Sequence, residues 1–158
     1  MVKQTILTTE GLERLKTELE KLTTVERKEI AEKLKVARGY GDLSENSEYD
    51  EAKNEQARVE ARIMELEAAL TNYKIVEKSE LSSDKVIIGS KLLILDVDFK
   101  EESEIIIVSS SEADPSNGRI SDESPIGKAL LGKKEGQTVD ADTPAGILKF
   151  KIVKIFDQ

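Results

Sequence analysis

Leucines near the start of the chain recur at alternating steps of three and four residues. The stretch "LTTEGLERLKTELEKL" places them at positions 12, 15, 19 and 22. This is the a/d spacing of a coiled-coil seam, in which the apolar stripe of one helix packs against another helix. The spacing predicts a helix that begins at Thr8 or Thr9, because a threonine hydroxyl can cap the first helical turn.

The seam rhythm slips after Val25, since the next apolar positions are Ile30, Leu34 and Ala37. A slip of this kind changes the local supercoil without ending the helix. We expect the helix to end at the two glycines of "ARGYG", which are the first glycines after Gly11.

A second apolar stripe follows and keeps its rhythm without error. Its members are Tyr49, Ala52, Gln56, Val59, Ile63, Leu66, Leu70 and Tyr73. Two striped helices joined by a short connection can bury their stripes only against each other, so we expect an antiparallel coiled-coil hairpin. Each arm has roughly thirty residues and would be about 45 Å long at about 1.5 Å per residue.

The pattern changes to that of β-strands after Lys74. Short β-branched runs occur in "VIIGSKLLILDVDF", "SEIIIVSS" and "GILKFKIVKIF", with turn residues between them. One short helix is marked in "SPIGKALLG", with Ser124 as its N-cap, Pro125 as its first residue and Gly132 just past its end. The sequence predicts an α+β protein with a helical hairpin over residues 1–78 and a small, mostly β domain over residues 79–158.

Composition narrows the chemistry that these elements could carry. The 158 residues include no Cys and no His, which excludes disulfides, structural zinc, and thiol or imidazole catalysis. Carboxylates are left as the strong metal ligands, and they favour hard cations such as Mg²⁺. The net charge of −8 disfavours binding to duplex DNA through a broadly basic surface. We expect a cytosolic protein, since no stretch is apolar enough for a signal peptide or a membrane span.

Negative charge is concentrated between the two predicted helices. The stretch "YGDLSENSEYDE" has carboxylates at positions 42, 45, 48, 50 and 51 and no basic residue, and it defines an acidic tip over residues 41–48. One interpretation is a capping box, in which Asp42 accepts a backbone hydrogen bond at the start of the second helix and Glu45 reaches back. The other is half of a metal site, because two carboxylates can face one Mg²⁺ or one water but bind the ion weakly alone. A long arm could carry such a pair to a metal that another protein already holds.

The tip is also recognisable as a family signature. "ARGYGDLSENSEYDEAKNEQ" resembles the tip of the bacterial Gre family of transcription elongation factors, the GreA/GreB transcript-cleavage factors. The similarity continues through "LTTEGLERLKTELEKL", "SEADPSNGRISDESPIGKALLGKKEG" and "FKIVKI". The core pattern G-D-L-x-E-N-x-E-Y is far more specific than an acidic pair. The limited basic character of the arm is closer to GreA than to GreB.

The resemblance implies both a fold and a place of action. The implied fold is an N-terminal antiparallel coiled coil followed by a C-terminal domain of FKBP-like fold. That domain would dock near the mouth of the RNA polymerase secondary channel, and the coiled coil would enter the channel. The implied function is to stimulate the polymerase's own Mg²⁺-dependent cleavage of the nascent RNA 3′ end in backtracked, arrested complexes. The chain would then be a monomeric accessory factor rather than an enzyme, with no membrane partner and no cofactor bound when it is alone.

The resemblance also implies roles for individual residues. Asp42 would share the second, weakly bound Mg²⁺ with the polymerase, and Glu45 would act through a water that it orients or deprotonates. Arg38 and Lys53 match basic positions that contact the extruded RNA, although ordinary solvated helix faces also carry such residues. The resemblance does not give the docking residues, and we look for them on the exposed face that begins at Ser124, Pro125 and Ile126.

Two alternatives to this function remain open. Inhibitory paralogues that plug the channel share the fold but carry a run of Asp at the tip, so the Asp-Leu-Ser-Glu pattern favours stimulation. Prolyl isomerases also have the FKBP-like fold, but Phe99 and Phe150 are the only aromatic residues of the second domain before Phe156. Of the two tyrosines beside the tip, Tyr40 could stack on a base, whereas Tyr49 fits the seam and is interpreted as a packing residue.

Overall fold

The computed structural model describes residues 4–39, 46–77 and 84–156. The chain divides into two compact units, one formed by Met1–Gly11 with Tyr73–Gln158 and the other by Leu12–Asn72. The predicted combination of an N-terminal helical hairpin with a mostly β C-terminal domain is confirmed. The predicted division between residues 78 and 79 stays a prediction.

The first arm of the hairpin consists of α1 (Thr9–Lys21), a π-helical turn (Leu22–Glu26) and α2 (Arg27–Arg38). Thr8 caps α1, since its hydroxyl oxygen accepts a hydrogen bond of 3.0 Å from the N–H of Gly11. These three elements follow one another without a gap, so the arm is continuous across the slip in the seam, as the sequence pattern predicted.

The π-helical turn explains how the seam survives the slip. A π-helical turn holds about one residue more than an α-helical turn, so it absorbs the extra residue between successive seam positions. Leu22 before the turn and Ile30 after it are both buried, whereas Val25 within the turn is 44% exposed. The hydroxyl of Thr24 donates to the carbonyl of Glu20 at 2.7 Å and supplies a local partner for the backbone there.

The second arm is one helix, α3 (Ser47–Thr71). Its buried residues are Ala52, Val59, Ile63, Leu66 and Ala69. Four of these positions follow the predicted seam. The fifth, Ala69, is buried beside the predicted Leu70, which is only half-buried, and Tyr73 was assigned to the seam wrongly. The helix ends at Thr71 because Asn72 is extended (φ −141°, ψ 95°), and Tyr73 belongs to a strand.

Two ion pairs between the arms show that they are antiparallel. Arg27 pairs with Glu60 at 2.8 Å and Lys33 pairs with Glu55 at 3.0 Å, so the partner number falls as the α2 number rises. The hydrogen bond from Arg27 holds the pKa of Glu60 below its usual value, and the same bond raises the pKa of Arg27. Such exposed pairs add little stability, but they favour this alignment of the arms over others.

The second unit is the one formed by Met1–Gly11 with Tyr73–Gln158, and its described residues form two sheets. A small parallel sheet pairs β1 (Thr5–Leu7) with β2 (Tyr73–Ile75), and the last residue of β1, Leu7, is fully buried. Sequence analysis did not predict these two strands, because three residues are too few to show an alternating pattern.

The large sheet has the strand order β5-β4-β3-β7-β6. Its strands are β3 (Lys91–Asp96), β4 (Glu101–Val108), β5 (Arg119–Ser121), β6 (Thr138–Thr143) and β7 (Gly146–Ile155). Neighbouring strands are antiparallel except for β4 and β5. The three predicted β-branched runs are thus confirmed as β3, β4 and β7.

The helix α4 (Pro125–Leu130) contributes to the core of the large sheet through Leu130, which is fully buried. The rest of this core comes from alternate positions of the strands and from the segment before β3, namely Val86, Leu92, Ile94, Ile105, Ile107, Val139, Ala141, Phe150, Ile152 and Ile155. In "GILKFKIVKIF" apolar residues alternate with polar ones at Leu148, Phe150 and Ile152, and in β7 Phe150 and Ile152 are buried between exposed neighbours.

Candidate functional site

The predicted catalytic acids Asp42 and Glu45 lie outside the described residues. The structure does describe the two helix ends that bracket them, which we call the hairpin end (residues 36–39 and 46–56). The structure therefore shows the helix ends on either side of the two acids, and the roles of the acids stay predictions.

Both helices stop at the hairpin end for identifiable reasons. The first arm closes at Gly39, whose N–H bonds to the carbonyl of Val36 at 3.0 Å. The second arm starts from Asn46, which is extended (φ −89°, ψ 93°) and accepts a hydrogen bond of 3.1 Å from the N–H of Tyr49 through its side chain. An Asn in this position is among the best N-caps, because its amide oxygen satisfies a backbone donor that the helix leaves free.

This cap corrects one interpretation of the acidic tip. The sequence allowed Asp42 and Glu45 to form the capping box of the second helix, but α3 begins at Ser47 with Asn46 as its cap. The first turn of α3 is thus capped by a residue that follows both acids in the chain.

Asn46 also joins the two arms. Its side-chain N–H donates to the carbonyl of Ala37 in the last turn of α2 at 2.5 Å. One amide group therefore satisfies a donor at the start of α3 and an acceptor at the end of α2. Because both helix ends are tied to the same side chain, the end of α2 and the start of α3 are held together.

The predicted RNA-contacting residues meet at a third side chain. The guanidinium carbon of Arg38 and the ammonium nitrogen of Lys53 each lie 5.9 Å from the centre of the Tyr49 ring. Lys53 also donates a long hydrogen bond of 3.4 Å to the side-chain oxygen of Gln56. Cations at this distance are attracted by the electron-rich face of the ring. Tyr49 was interpreted as a packing residue, and the structure adds that it is half-buried beneath two cations.

The opposite side of the hairpin end is acidic. A groove of about 350 Å³ opens there between the arms, with Val36 and Ala52 in its lining. The charged residues that line it are Glu32, Lys33, Glu48, Glu51 and Glu55. Lys33 forms an ion pair with Glu55 and donates a hydrogen bond to its carboxylate, and this bond raises the pKa of Lys33.

The predicted docking residues lie at the start of α4. The hydroxyl of Ser124 accepts from the N–H of Gly127 at 3.0 Å and donates to the carbonyl of Ser121 at 2.7 Å, so it is committed to the predicted cap. Pro125 is exposed, and Ile126 is half-buried against the core of the sheet. Docking at these residues stays a prediction.

Two family models match almost the whole chain. The model described as transcription elongation factor, N-terminal, matches residues 5–75. The model described as transcription elongation factor, GreA/GreB, C-term, matches residues 81–157. The chain belongs to the GreA/GreB family of transcription elongation factors. The resemblance seen in the tip signature is thereby confirmed.

This GreA/GreB-family chain has several relatives of similar length. It is 57% identical over 155 residues to the transcription elongation factor GreA of Caldanaerobacter subterraneus, which covers 98% of this chain and 99% of the relative. It is 58% identical over 155 residues to the transcription elongation factor GreA of Thermoanaerobacter pseudethanolicus, with the same coverage. These names agree with the predicted resemblance to GreA rather than GreB.

Solved structures of related factors align with the GreA/GreB-family chain at lower identity. The GreA factor homolog 1 (Gfh1) of Thermus thermophilus is 34% identical, with a TM-score of 0.40 over 98% of this chain and 99% of that chain. The GreA/GreB factor of Nitrosomonas europaea is 21% identical, with a TM-score of 0.41 over 97% and 98% of the two chains.

The described residues have neither a helix suited to a membrane nor a cluster suited to a metal ion. Within residues 4–39, 46–77 and 84–156, no helix is long and apolar enough to cross a bilayer. In the same ranges, no group of three or more carboxylates is placed to hold a metal ion. The cytosolic location stays a prediction.

Sequence reasoning missed the role of one residue of the site and the contacts of another. Asn46 was quoted as part of the family signature but was given no role, although an Asn just before a helical stripe is a recognised start signal. Tyr49 and Lys53 are four residues apart, which places them side by side on a helix and could have suggested their contact. The approach of Arg38 to the same ring depends on the pairing of the arms.

Proposed function

We propose that this GreA/GreB-family factor enters the secondary channel of bacterial RNA polymerase with its helical hairpin and stimulates cleavage of the nascent RNA in backtracked complexes. Family membership and the names of its relatives support action in transcription elongation. The observation that carries the finer proposal is the cap of α3. Because Asn46 caps this helix, Asp42 and Glu45 are not needed there, and their place in the signature calls for another role.

The donor chemistry of the two acids fits Mg²⁺. Carboxylate oxygens are the ligands that this hard cation prefers, but two of them are too few for tight binding. The ion would therefore be shared with the polymerase active site, with Asp42 as a direct ligand and Glu45 acting through a water. When bound, Mg²⁺ supplies stabilisation of the charge on the phosphate oxygens and a lowered pKa for bound water.

Glu45 acts on the attacking water in this proposal. Its carboxylate orients the water and accepts a proton while the water oxygen bonds to phosphorus. The P–O3′ bond breaks, and the leaving 3′ oxygen takes up a proton from solvent. The retained RNA then has a 3′-hydroxyl that the polymerase can extend. The polymerase provides the rest of the catalytic centre, so the factor is an accessory protein and not an enzyme by itself.

The remaining predicted residues serve binding. Arg38 and Lys53 are exposed at the hairpin end and would contact phosphates of the extruded RNA, which positions the strand without reading its sequence. The exposed face around Pro125 would dock the second unit on the polymerase. The chain would act as a monomer, and Mg²⁺ would be held only in the joint site.

The test uses backtracked complexes of purified RNA polymerase with the wild-type factor and with Asp42→Asn or Glu45→Gln. We expect Glu45→Gln to lower the stimulated cleavage rate by about 100-fold or more, because a general base typically contributes about 100- to 10,000-fold. Asp42→Asn should also lower the rate, because it removes a ligand of the shared Mg²⁺. Glu48→Gln is the matched control, since it removes an exposed negative charge from the first turn of α3 and should leave the rate unchanged.

Two outcomes would contradict the mechanism. If both variants cleave as fast as the wild type, the acids have no chemical role. If the wild-type factor binds the polymerase but does not accelerate cleavage at any Mg²⁺ concentration, the chain is a non-catalytic channel-binding protein. Helical circular dichroism should be the same for all variants, because Asn46 caps α3.

A further inference from the structure

The hairpin end has two flanks of opposite chemistry. On α3, Glu48, Glu51 and Glu55 recur at steps of three and four and therefore lie on one side of the seam residue Ala52. Tyr49 and Lys53, four residues apart, lie on the other side. We call the first set the acidic flank, together with Glu32 from α2, and we call Arg38, Tyr49 and Lys53 the cationic flank.

The cations of the cationic flank lie against an aromatic ring, whereas two cations further along the arms lie against carboxylates. Arg27 and Lys33 are paired with carboxylates of the opposite arm. Within residues 4–39, 46–77 and 84–156, no carboxylate lies within ion-pair distance of Arg38 or Lys53. Both cations contact the Tyr49 ring. A chain with a net charge of −8 thus presents two positive charges at the hairpin end on an aromatic face. An aromatic face attracts cations without neutralising them, so they can still bind phosphate.

Tyr49 is well placed to fix both cations relative to the helices. Its backbone N–H is the donor that Asn46 caps, and the same Asn46 side chain is bonded to Ala37. The ring therefore stands on the first turn of α3 while Arg38 reaches it from the last turn of α2. Long Arg and Lys side chains lose conformational entropy when they bind a ligand, and a ring that holds them beforehand reduces that loss.

We propose that Tyr49 is a positioning residue that holds Arg38 and Lys53 together as a phosphate-binding site for single-stranded RNA. The strand passes the cationic flank and not the acidic flank, where four glutamates would repel it. This inference rests on the proposed function for its biological setting, but the binding site belongs to the free chain and can be measured without polymerase.

The first experiment measures binding of a short fluorescein-labelled oligouridylate to the free factor by anisotropy at several salt concentrations. Tyr49→Leu keeps an apolar side chain but removes the ring face, and it should weaken binding about 5- to 30-fold, from two cation–π contacts of ordinary strength. Tyr49→Phe retains the ring and should restore wild-type affinity. Glu51→Gln on the acidic flank is the control and should bind at least as well as the wild type.

The second experiment separates positioning from general packing. Tyr49→Leu is combined with Arg38→Gln and Lys53→Gln, which remove the charges that the ring is proposed to hold. If Tyr49 acts through these cations, its replacement should have little further effect in that background, and the salt dependence should become shallower in step with lost phosphate contacts. A packing role would give the same loss in both backgrounds.

The third experiment uses backtracked polymerase complexes. Tyr49→Leu should raise the factor concentration needed for half-maximal cleavage while leaving the maximal rate near that of the wild type. Asp42→Asn should lower the maximal cleavage rate and leave the factor concentration needed for half-maximal cleavage near that of the wild type. A failure of one proposal can therefore be told apart from a failure of the other. The inference is overturned if Tyr49→Leu binds like the wild type, if Tyr49→Phe is as weak as Tyr49→Leu, or if Tyr49→Leu loses the same factor in both backgrounds. Circular dichroism of each variant identifies a loss of folded helix. If Tyr49→Leu has lost helix, the inference is tested by Tyr49→Phe, which should bind RNA like the wild type.

Discussion

Asn46 offers a direct test of how the hairpin end is held together. Its side chain makes two hydrogen bonds, one accepted from Tyr49 N–H at 3.1 Å and one donated to the Ala37 carbonyl at 2.5 Å. Asn46→Ala removes both bonds. Asn46→Asp keeps the acceptor for the cap but replaces the donor with a carboxylate oxygen that faces a carbonyl.

The expected losses follow from the two bonds. An N-cap replaced by Ala typically costs about 1 kcal/mol of stability. The hydrogen bond to Ala37 is partly buried and contributes about 0.5–1.5 kcal/mol. We therefore expect Asn46→Ala to lower the free energy of unfolding of the hairpin by about 2 kcal/mol. Asn46→Asp should lose about 1 kcal/mol, because the cap remains and its charge suits the helix N-terminus.

The assay is urea unfolding followed by circular dichroism at the helical band, since the helices lie mostly in the hairpin unit. Ser47→Ala is the matched control at the adjacent exposed position, and it should change stability by less than about 0.5 kcal/mol. Equal effects of the Ala and Asp variants would show that the cap contributes nothing. No effect of either variant would refute the arrangement described for the hairpin end.

Two further predictions concern the arms. Leu66 is fully buried in the seam, so Leu66→Ala should lower the free energy of unfolding by about 2–5 kcal/mol in the same urea assay. Met64 is 70% exposed, so Met64→Ala is the control and should be near neutral. Similar losses at both positions would contradict the assigned seam. Glu60 has a pKa lowered by its hydrogen bond to Arg27, so the stability it contributes is present above its ordinary pKa of 4.5 and is lost as pH falls through the lower folded value. Glu60→Gln should remove this part of the acid sensitivity in unfolding curves measured between pH 3 and 6, and added salt should weaken the effect in the wild type; identical pH profiles for wild type and variant would exclude it.

The elements that the sequence predicted are those with a local pattern. The seam spacing identified both arms because a helix places residues three and four apart on one face whatever it packs against. The caps of α4 were readable for the same reason, since Ser124 and Pro125 act on the turn that they begin. The strands β3, β4 and β7 are long enough to show their composition, whereas β1 and β2 are too short.

The functional assignment also came from a local pattern. The tip signature identified the family, and the family models confirm it over residues 5–75 and 81–157. The residues of the signature did not reveal which of them support the fold. Asp42, Glu45 and Asn46 can all cap a helix, and the choice depends on where the first turn starts.

Tertiary structure decided the features that join residues far apart in the chain. Gly11 is an ordinary glycine in the sequence, but a β-carbon there would collide with the carboxylate of Glu112, which is 95% buried. Arg38 meets Tyr49 only because α2 and α3 pair in one register, and Asn46 finds Ala37 for the same reason. Periodicity records which face of an element is apolar. It does not record which partner that face meets, because the partner is selected by the packing of the whole unit.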